Sequence, residues 1–360
     1  MCRIHEIDTT QQVDFADDLV DMLNKGALAL MVSVGHRTGL FDTMSGMNPA
    51  TSEQIASKAG LDERYVREWL GAMTVGRIIE AVPAGEETLF SLPDKHARYL
   101  TRAAGSDNIA LFTQYIAELG SVEEDIVRCF REGGGVPYER YPRFHDIMAE
   151  DSGQSIVSSL FDHVLPLMPG MVSKLVAGID VLDIGCGKAR AITLLATRFP
   201  KSRFIGYDLC AEPIEEARRR ADELGLTNIS FAQKDLTEFD VRGEFDLITA
   251  FDAIHDQARP DAVLEGIYRA LKPGGTFFMQ DIAGSEKPQN NLEHPLGGLL
   301  YTISCMHCMT VSLAQGGMGL GAMWGKEQAL RMLDQAGFQE VRTRNLDHDI
   351  QNNYYIMSKA

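Results

Sequence analysis

Apolar residues recur at helical spacing from Gly26 to Leu40 and break off at Gly39, the pattern of a helix closed by a glycine. Thr51 with Gln54 forms a capping-box signature ahead of "SEQIASKAG", and Asp62 opens a further helix through "ERYVREWLGAMTVG". Gly60 and Gly76 punctuate the two. The runs "RIIEAV" and "TLFSL", separated by "PAGEE", then predict a β-hairpin. Helix, turn, helix and hairpin together make a winged helix, assigned to residues 1–105. Residues 106–170 read as a helical linker broken by the glycine- and proline-rich "REGGGVPYERYP", and they are expected to contribute to a substrate pocket.

From residue 171 onward the pattern changes to alternating strands and helices. "GIDVLDIG", "RFIGYD", "ISFAQKD", "FDLITAF" and "GGTFFMQDI" read as strands, with "ARAITLLATRF", "EPIEEARRRADELG" and "PDAVLEGIYRAL" as helices between them. This alternation predicts an α/β, Rossmann-like domain whose ligand sits at the carboxyl edge of a parallel sheet. "FQEVRTRNLDHDIQNNYYIMSKA" supplies a closing antiparallel pair, for seven strands in all. A methionine- and glycine-rich insertion at about 284–324 reads as a lid over the site.

The chemistry is concentrated in "VLDIGCGKAR". A dinucleotide fold presents G-x-G-x-x-G, but here Gly185 and Gly187 are followed by Arg190, so the third glycine is missing and a nicotinamide oxidoreductase is the weaker reading. Instead an acid ends each of three successive strands: Asp183, Asp208 and Asp235. Three carboxylates suit a cation rather than a pyrophosphate. Asp208, 21 residues beyond Gly187, is placed to accept from both hydroxyls of a ribose. Asp235 with Leu236 is placed at an adenine, and Asp183, Gly185, Cys186 and Gly187 at an amino-acid moiety that needs bare backbone. S-adenosylmethionine combines these parts and is the expected cofactor, with Leu209 and Phe251 beside it.

These motifs carry a resemblance. Residues 170–283, through "VLDIGCG", "GYDL", "QKDL", "FDLITAFDAIHD" and "ALKPGG", resemble the class I S-adenosylmethionine-dependent methyltransferases. The front end, "GLFDTM" with "TSEQIASKAGLDERYVREWLGAMTVGRI", resembles the winged-helix dimerisation domain of plant-type and bacterial small-molecule O-methyltransferases. The resemblance implies a homodimer in which one subunit's N-terminal domain helps close the other's pocket. The apolar "ALALMVSVG" helix independently suggests self-association.

His255 of the "HD" pair can accept a proton at neutral pH, as a hydroxyl acceptor requires. The resemblance makes His255 the general base and Asp281 the acid that orients it, although Gln257 stands where the family carries a tryptophan. Phe144, Met148, Asp256, His307 and Trp324 are the candidate substrate contacts. S-methylation of a thiol is the alternative within the class, since a thiol needs less help from a base.

Charge narrows the partners. The chain has 360 residues, 45% of them hydrophobic, and a net charge of −17, which opposes binding to nucleic acid or anionic membranes. A ligand-sensing DNA-binding regulator is thus the reading from another class. The N-terminus has no apolar leader and no run of 18 uninterrupted apolar residues occurs, so a cytoplasmic location with no membrane partner is expected. The six cysteines, Cys2, Cys129, Cys186, Cys210, Cys305 and Cys308, suit reduced thiols, and Cys305-x-x-Cys308 has no second pair, so no metal is expected. The expected partner beyond a second copy is a small-molecule methyl acceptor.

Overall fold

A computed structural model describes residues 14–360; Cys2 lies outside them. The chain forms two compact units, one through Ala117 and one from Glu118.

In the first unit, α1 (Phe15–Thr38) starts well before Gly26, capped by the Asp14 side chain, and ends at Gly39 with φ 72°. α2 (Leu40–Met44) follows directly. α3 (Ser52–Ala59) opens on Thr51 with both arms of the capping box formed, and α4 (Glu63–Val75) opens on Asp62. The antiparallel hairpin is β1 (Glu80–Ala84) and β2 (Glu87–Ser91). It starts three residues later than "RIIEAV" suggests, because Arg77 takes a left-handed φ of 59° and the amides of Ile78 and Ile79 bond back to the Met73 carbonyl. The core gathers Phe41, Ile55, Trp69, Leu70 and Met73. Trp69 donates its indole N–H to the Met31 carbonyl at 2.8 Å, a buried polar tip satisfied by α1. Gly35 makes that approach possible, since a Cβ there would lie 2.5 Å from the indole ring.

The second unit is built on one seven-stranded sheet. Its strands are β3 (Asp180–Ile184), β4 (Arg203–Asp208), β5 (Ile229–Gln233), β6 (Phe245–Phe251), β7 (Leu271–Ile282), β8 (Arg342–Leu346) and β9 (Asp349–Ser358). The order is β5-β4-β3-β6-β7-β9-β8; β3 to β7 pair in parallel, and β9 runs antiparallel to both neighbours. Side-chain alternation splits each strand between two cores. Leu182, Ile248, Phe277 and Tyr355 enter one, while Val181, Leu247, Phe278 and Tyr354 enter the other. The parallel strands therefore deliver Ile184, Asp208, Gln233, Phe251 and Ile282 to one edge.

Two segments cover that edge. The helix Phe144–Ser152 does not continue regularly but breaks into π turns at Gly153–Val157 and Leu160–Val164. Gly153 leaves room for Arg190, whose Nη1 a Cβ would meet at 2.8 Å. The insertion after β7 forms Gly297–Ile303, a π turn at Ser304–Cys308, and Met309–Ala314. By length and mean hydropathy, 1.2, residues 297–314 are apolar enough to cross a membrane, yet 44% of the segment is buried within the protein. The loop that begins at Gly133 is clamped against it: Val136 donates its amide to Thr310 Oγ1 at 2.9 Å, and a Cβ on Gly135 would strike the Thr310 carbonyl at 2.1 Å.

Candidate active site

The turn after β3 is held open by backbone geometry. Gly185 (φ 65°), Gly187 (φ 51°) and Ala189 (φ 54°) are all left-handed. Alanine thus occupies a conformation that normally favours glycine, a local strain at this turn. Asp208, at the tip of β4, accepts from the Gly187 amide at 2.8 Å and from the Cys210 amide at 2.9 Å, which fixes its carboxylate over the turn. Burial raises its pKa while those amides work to lower it. Asp183 is buried, accepts from Thr249 Oγ1 at 2.6 Å, and has its pKa pushed up to about 7, chiefly by burial.

A cavity of about 90 Å³ opens beside the turn, lined by Asp183, Gly185, Cys186, Gly187, Met148 and Phe251 among others. Lys188 closes its far side through ion pairs of 2.5 Å with both Asp146 and Glu216. Bare backbone, an oriented carboxylate and an uncompensated buried acid together fit a cationic nucleoside better than a phosphate. Leu209 is half-buried and Leu236 lies in the core. Asp235 is exposed, and its Oδ1 is engaged by the amide and hydroxyl of Thr237 at 2.9 and 2.7 Å. Burial pushes the Cys186 thiol well up. The five described cysteines are all free.

Beyond β6 the chain turns sharply at Asp252, whose φ is 53°. His255, 2% exposed, points Nδ1 at Oδ1 of the buried Asp281, 2.8 Å away at the end of β7. The same oxygen accepts from the Trp324 indole at 3.0 Å and from the Ile282 amide at 2.8 Å. Burial disfavours the His255 imidazolium, but Asp281 and Cys308 raise its pKa well above the ordinary value. Cys308 is itself pushed up by burial and stays a neutral thiol near pH 7, so Asp281 is the charge that counts. The Gly185 turn lies against Ala253, two residues before His255.

Aromatic side chains pack against one another on the lid side. His307 stacks on Phe144 with centroids 3.3 Å apart, and Tyr141 and Tyr138 meet it edge-on at 4.7 and 5.3 Å. Both nitrogens of His307 are buried without a hydrogen-bond partner, and burial drives its pKa well below the usual value, so the ring is neutral. Asp256 accepts from the Tyr138 hydroxyl at 2.5 Å. Trp324 is displaced from its expected place facing a substrate: it lies in the core behind Asp281, because a buried indole needs an acceptor. Gln257 donates to the Ala253 carbonyl at 2.8 Å and braces the turn. Sequence reading missed Asp252, Tyr138 and Lys188; only Asp252 carried a signal, as an acid at the same strand edge.

The fold and the turn define a nucleotide-binding α/β domain of the methyltransferase type. Residues 175–337 match a methyltransferase domain, and residues 26–102 match an Rv2258c-like winged HTH domain. The chain is 32% identical to the arsenite methyltransferase of Aquipseudomonas alcaligenes over 35% of its own length and 41% of that protein's. It is 25% identical to sterol 24-C-methyltransferase of Saccharomyces cerevisiae over 89% and 70%. Human N-acetylserotonin methyltransferase, solved with S-adenosylmethionine, shares the fold with a TM-score of 0.69 at 17% identity, covering 98% of this chain and 99% of that one. Mitomycin 7-O-methyltransferase gives 0.67 at 17%, over 95% and 98%. The chain thus carries a methyltransferase domain at residues 175–337, preceded in the sequence by a winged HTH domain at residues 26–102.

Proposed function

We propose that this protein transfers a methyl group to a hydroxyl oxygen of a small molecule, with His255 as the general base. When bound, S-adenosylmethionine supplies an electrophilic methyl group on a positively charged sulfur. Asp208 would hold its ribose, Asp183 its ammonium group, and Asp235 and Leu236 its adenine, with the Gly185 and Gly187 backbone alongside.

The observation that carries the base is the 2.8 Å contact from His255 Nδ1 to Asp281. Only the neutral ring can act: with a proton held there, Nε2 is left to accept the hydroxyl proton, so activity in this reading requires loss of the imidazolium proton that Asp281 favours, and the Asp281 contact fixes the ring plane. Asp281 and Trp324 are positioning residues in this reading. The name of one fold neighbour, mitomycin 7-O-methyltransferase, favours oxygen as the acceptor atom.

Phe144, His307 and Tyr141, packed against one another, would have to part to admit a planar acceptor between them, with Met148 and Asp256 alongside. Neutral His307 offers one donor and one acceptor nitrogen to it. The winged helix is read as an assembly module, because Arg64 and Arg67 on α4 each face an acid one turn away, Glu68 and Glu63. A second copy of the chain is its proposed partner, through the exposed Phe15, Leu19, Val20 and Leu23 of α1.

The test is methyl transfer from labelled S-adenosylmethionine to a panel of small phenols and thiols. His255→Ala is expected to lower turnover on phenols by roughly 10²- to 10⁴-fold. A loss of only a few-fold would remove the base, and transfer to thiols alone would remove oxygen as the acceptor.

A further inference from the structure

Behind the proposed base lies a second feature that proton transfer leaves unused. One donor atom from each of Asp252, His255 and Asp281 falls within 4.8 Å of the others. Asp281 uses Oδ1 for His255, Trp324 and the Ile282 amide, but its Oδ2 is buried without a partner. Oδ1 of Asp252 is likewise buried and unpartnered, 3.8 Å from His255 Nδ1. Burying an oxygen lone pair with nothing to accept costs free energy, and two carboxylates side by side in low dielectric repel. Asp252 is brought there by a backbone in the left-handed region, an unfavourable conformation for a residue with a Cβ.

We infer that Asp252, His255 and Asp281 form a binding site for a divalent first-row transition ion of the zinc type. One imidazole nitrogen and two carboxylate oxygens are a borderline donor set, better matched to zinc or cobalt than to magnesium. Ligand bonds of about 2.0 to 2.2 Å put tetrahedral donors about 3.4 Å apart, so the three groups need to close by no more than about 1.4 Å. Three protein ligands leave a fourth position for water. The spacing 252, 255, 281 matches no sequence signature for metal, which is why the site is invisible without the fold.

The ion takes the place of the Nδ1 proton. In the neutral ring that the proposed base requires, Nδ1–H faces Asp281 and Nε2 carries a lone pair. With the metal on Nδ1, a neutral ring must carry its proton on Nε2, which then donates and no longer accepts. Occupancy therefore switches off the proposed base. This consequence rests on the His255 reading, whereas the binding itself does not.

The test separates the two. Zinc is titrated calorimetrically into the chelator-treated full-length protein without any methyl acceptor, and cobalt is added in parallel to read the ligand field. One ion per chain, visible cobalt bands without the near-ultraviolet band of thiolate ligation, and at least about tenfold weaker binding in Asp252→Asn are expected. S-adenosylhomocysteine binding by that variant reports that it is folded, and Asp252→Ser serves as a second replacement. No zinc binding, a thiolate band, or affinity unchanged in both variants overturns the site. Turnover should fall in proportion to zinc occupancy and return with chelator. Binding at the site with turnover unaffected leaves the metal site standing and removes His255 as the base; turnover that rises with occupancy overturns the switch.

Discussion

Trp324 and His255 share a single acceptor: the indole Nε1 and the imidazole Nδ1 both reach Oδ1 of Asp281, at 3.0 and 2.8 Å. The tryptophan thereby fixes the rotamer of the acid that fixes the ring. Trp324→Phe keeps most of the apolar volume and removes only the donor. A hydrogen bond to a charged group contributes about 1.5–3 kcal/mol, so turnover should fall by roughly ten- to a hundredfold with KM for the acceptor little changed. A change in KM alone, measured by steady-state kinetics, would return Trp324 to the substrate wall.

The turn after β3 allows a paired comparison of two glycines. Gly187→Ala meets no atom within 4 Å and suffers only the left-handed φ of 51°, a cost of about 1–2 kcal/mol. Gly185→Ala suffers the same conformational penalty and also drives its Cβ to 2.4 Å from the Cβ of Ala253. Urea unfolding should therefore rank the variants wild type, Gly187→Ala, Gly185→Ala in falling stability. Since Ala253 leads to His255, the second variant should also lose turnover at saturating cofactor. Equal unfolding midpoints for the two variants would count against the contact.

Much of this arrangement was legible in the chain, and the exceptions have physical causes. Strand alternation foretold the parallel α/β sheet with its closing antiparallel pair, because strand and helix type follow from local periodicity. The Thr51–Gln54 capping box and Gly39 likewise act within a few residues. Trp324 was misplaced because a tryptophan's direction depends on where its N–H finds an acceptor, here 43 residues earlier in Asp281. His307 stacked on Phe144, and Thr310 bonded to Val136, depend on packing between segments more than 160 residues apart. Pattern along the chain carries no record of such distances. Asp252 was legible in type and position, but its partnership with Asp281 required the register of β6 against β7.

Assembly is tested on the first unit. Phe15 and Leu23 are 72% and 74% exposed on α1, with Leu19 and Val20 beside them. This contiguous apolar face is the surface proposed for self-association. Leu19→Glu combined with Leu23→Glu should shift the protein from dimer to monomer in sedimentation velocity while leaving the unfolding of the second unit unchanged. Wild-type protein that sediments as a monomer at micromolar concentration would remove the homodimer reading.

If Asp183 holds the cofactor's ammonium group as proposed, cofactor affinity and stability should respond to pH in opposite directions. Its carboxyl is raised to about 7 by burial, with Asp208 adding repulsion and the Thr249 hydroxyl opposing. In the unfolded chain it titrates near ~3.9. Between about 4 and 7 the native state thus keeps a proton that the unfolded state has released, so this group's stabilisation is present in acid and is lost as pH rises towards 7. An ammonium group bound beside it needs the ionised form, so affinity for S-adenosylhomocysteine should climb over the same range, by up to about tenfold per pH unit. Lys188 and Arg190 also line the cavity but stay charged throughout, and a His145→Gln background keeps the neighbouring imidazole out of the measurement. Asp183→Asn in that background should flatten both the affinity profile and this part of the stability profile. Calorimetry and urea unfolding from about pH 5 to about pH 8 read the two slopes, and an affinity slope that survives the substitution would assign the proton to another group.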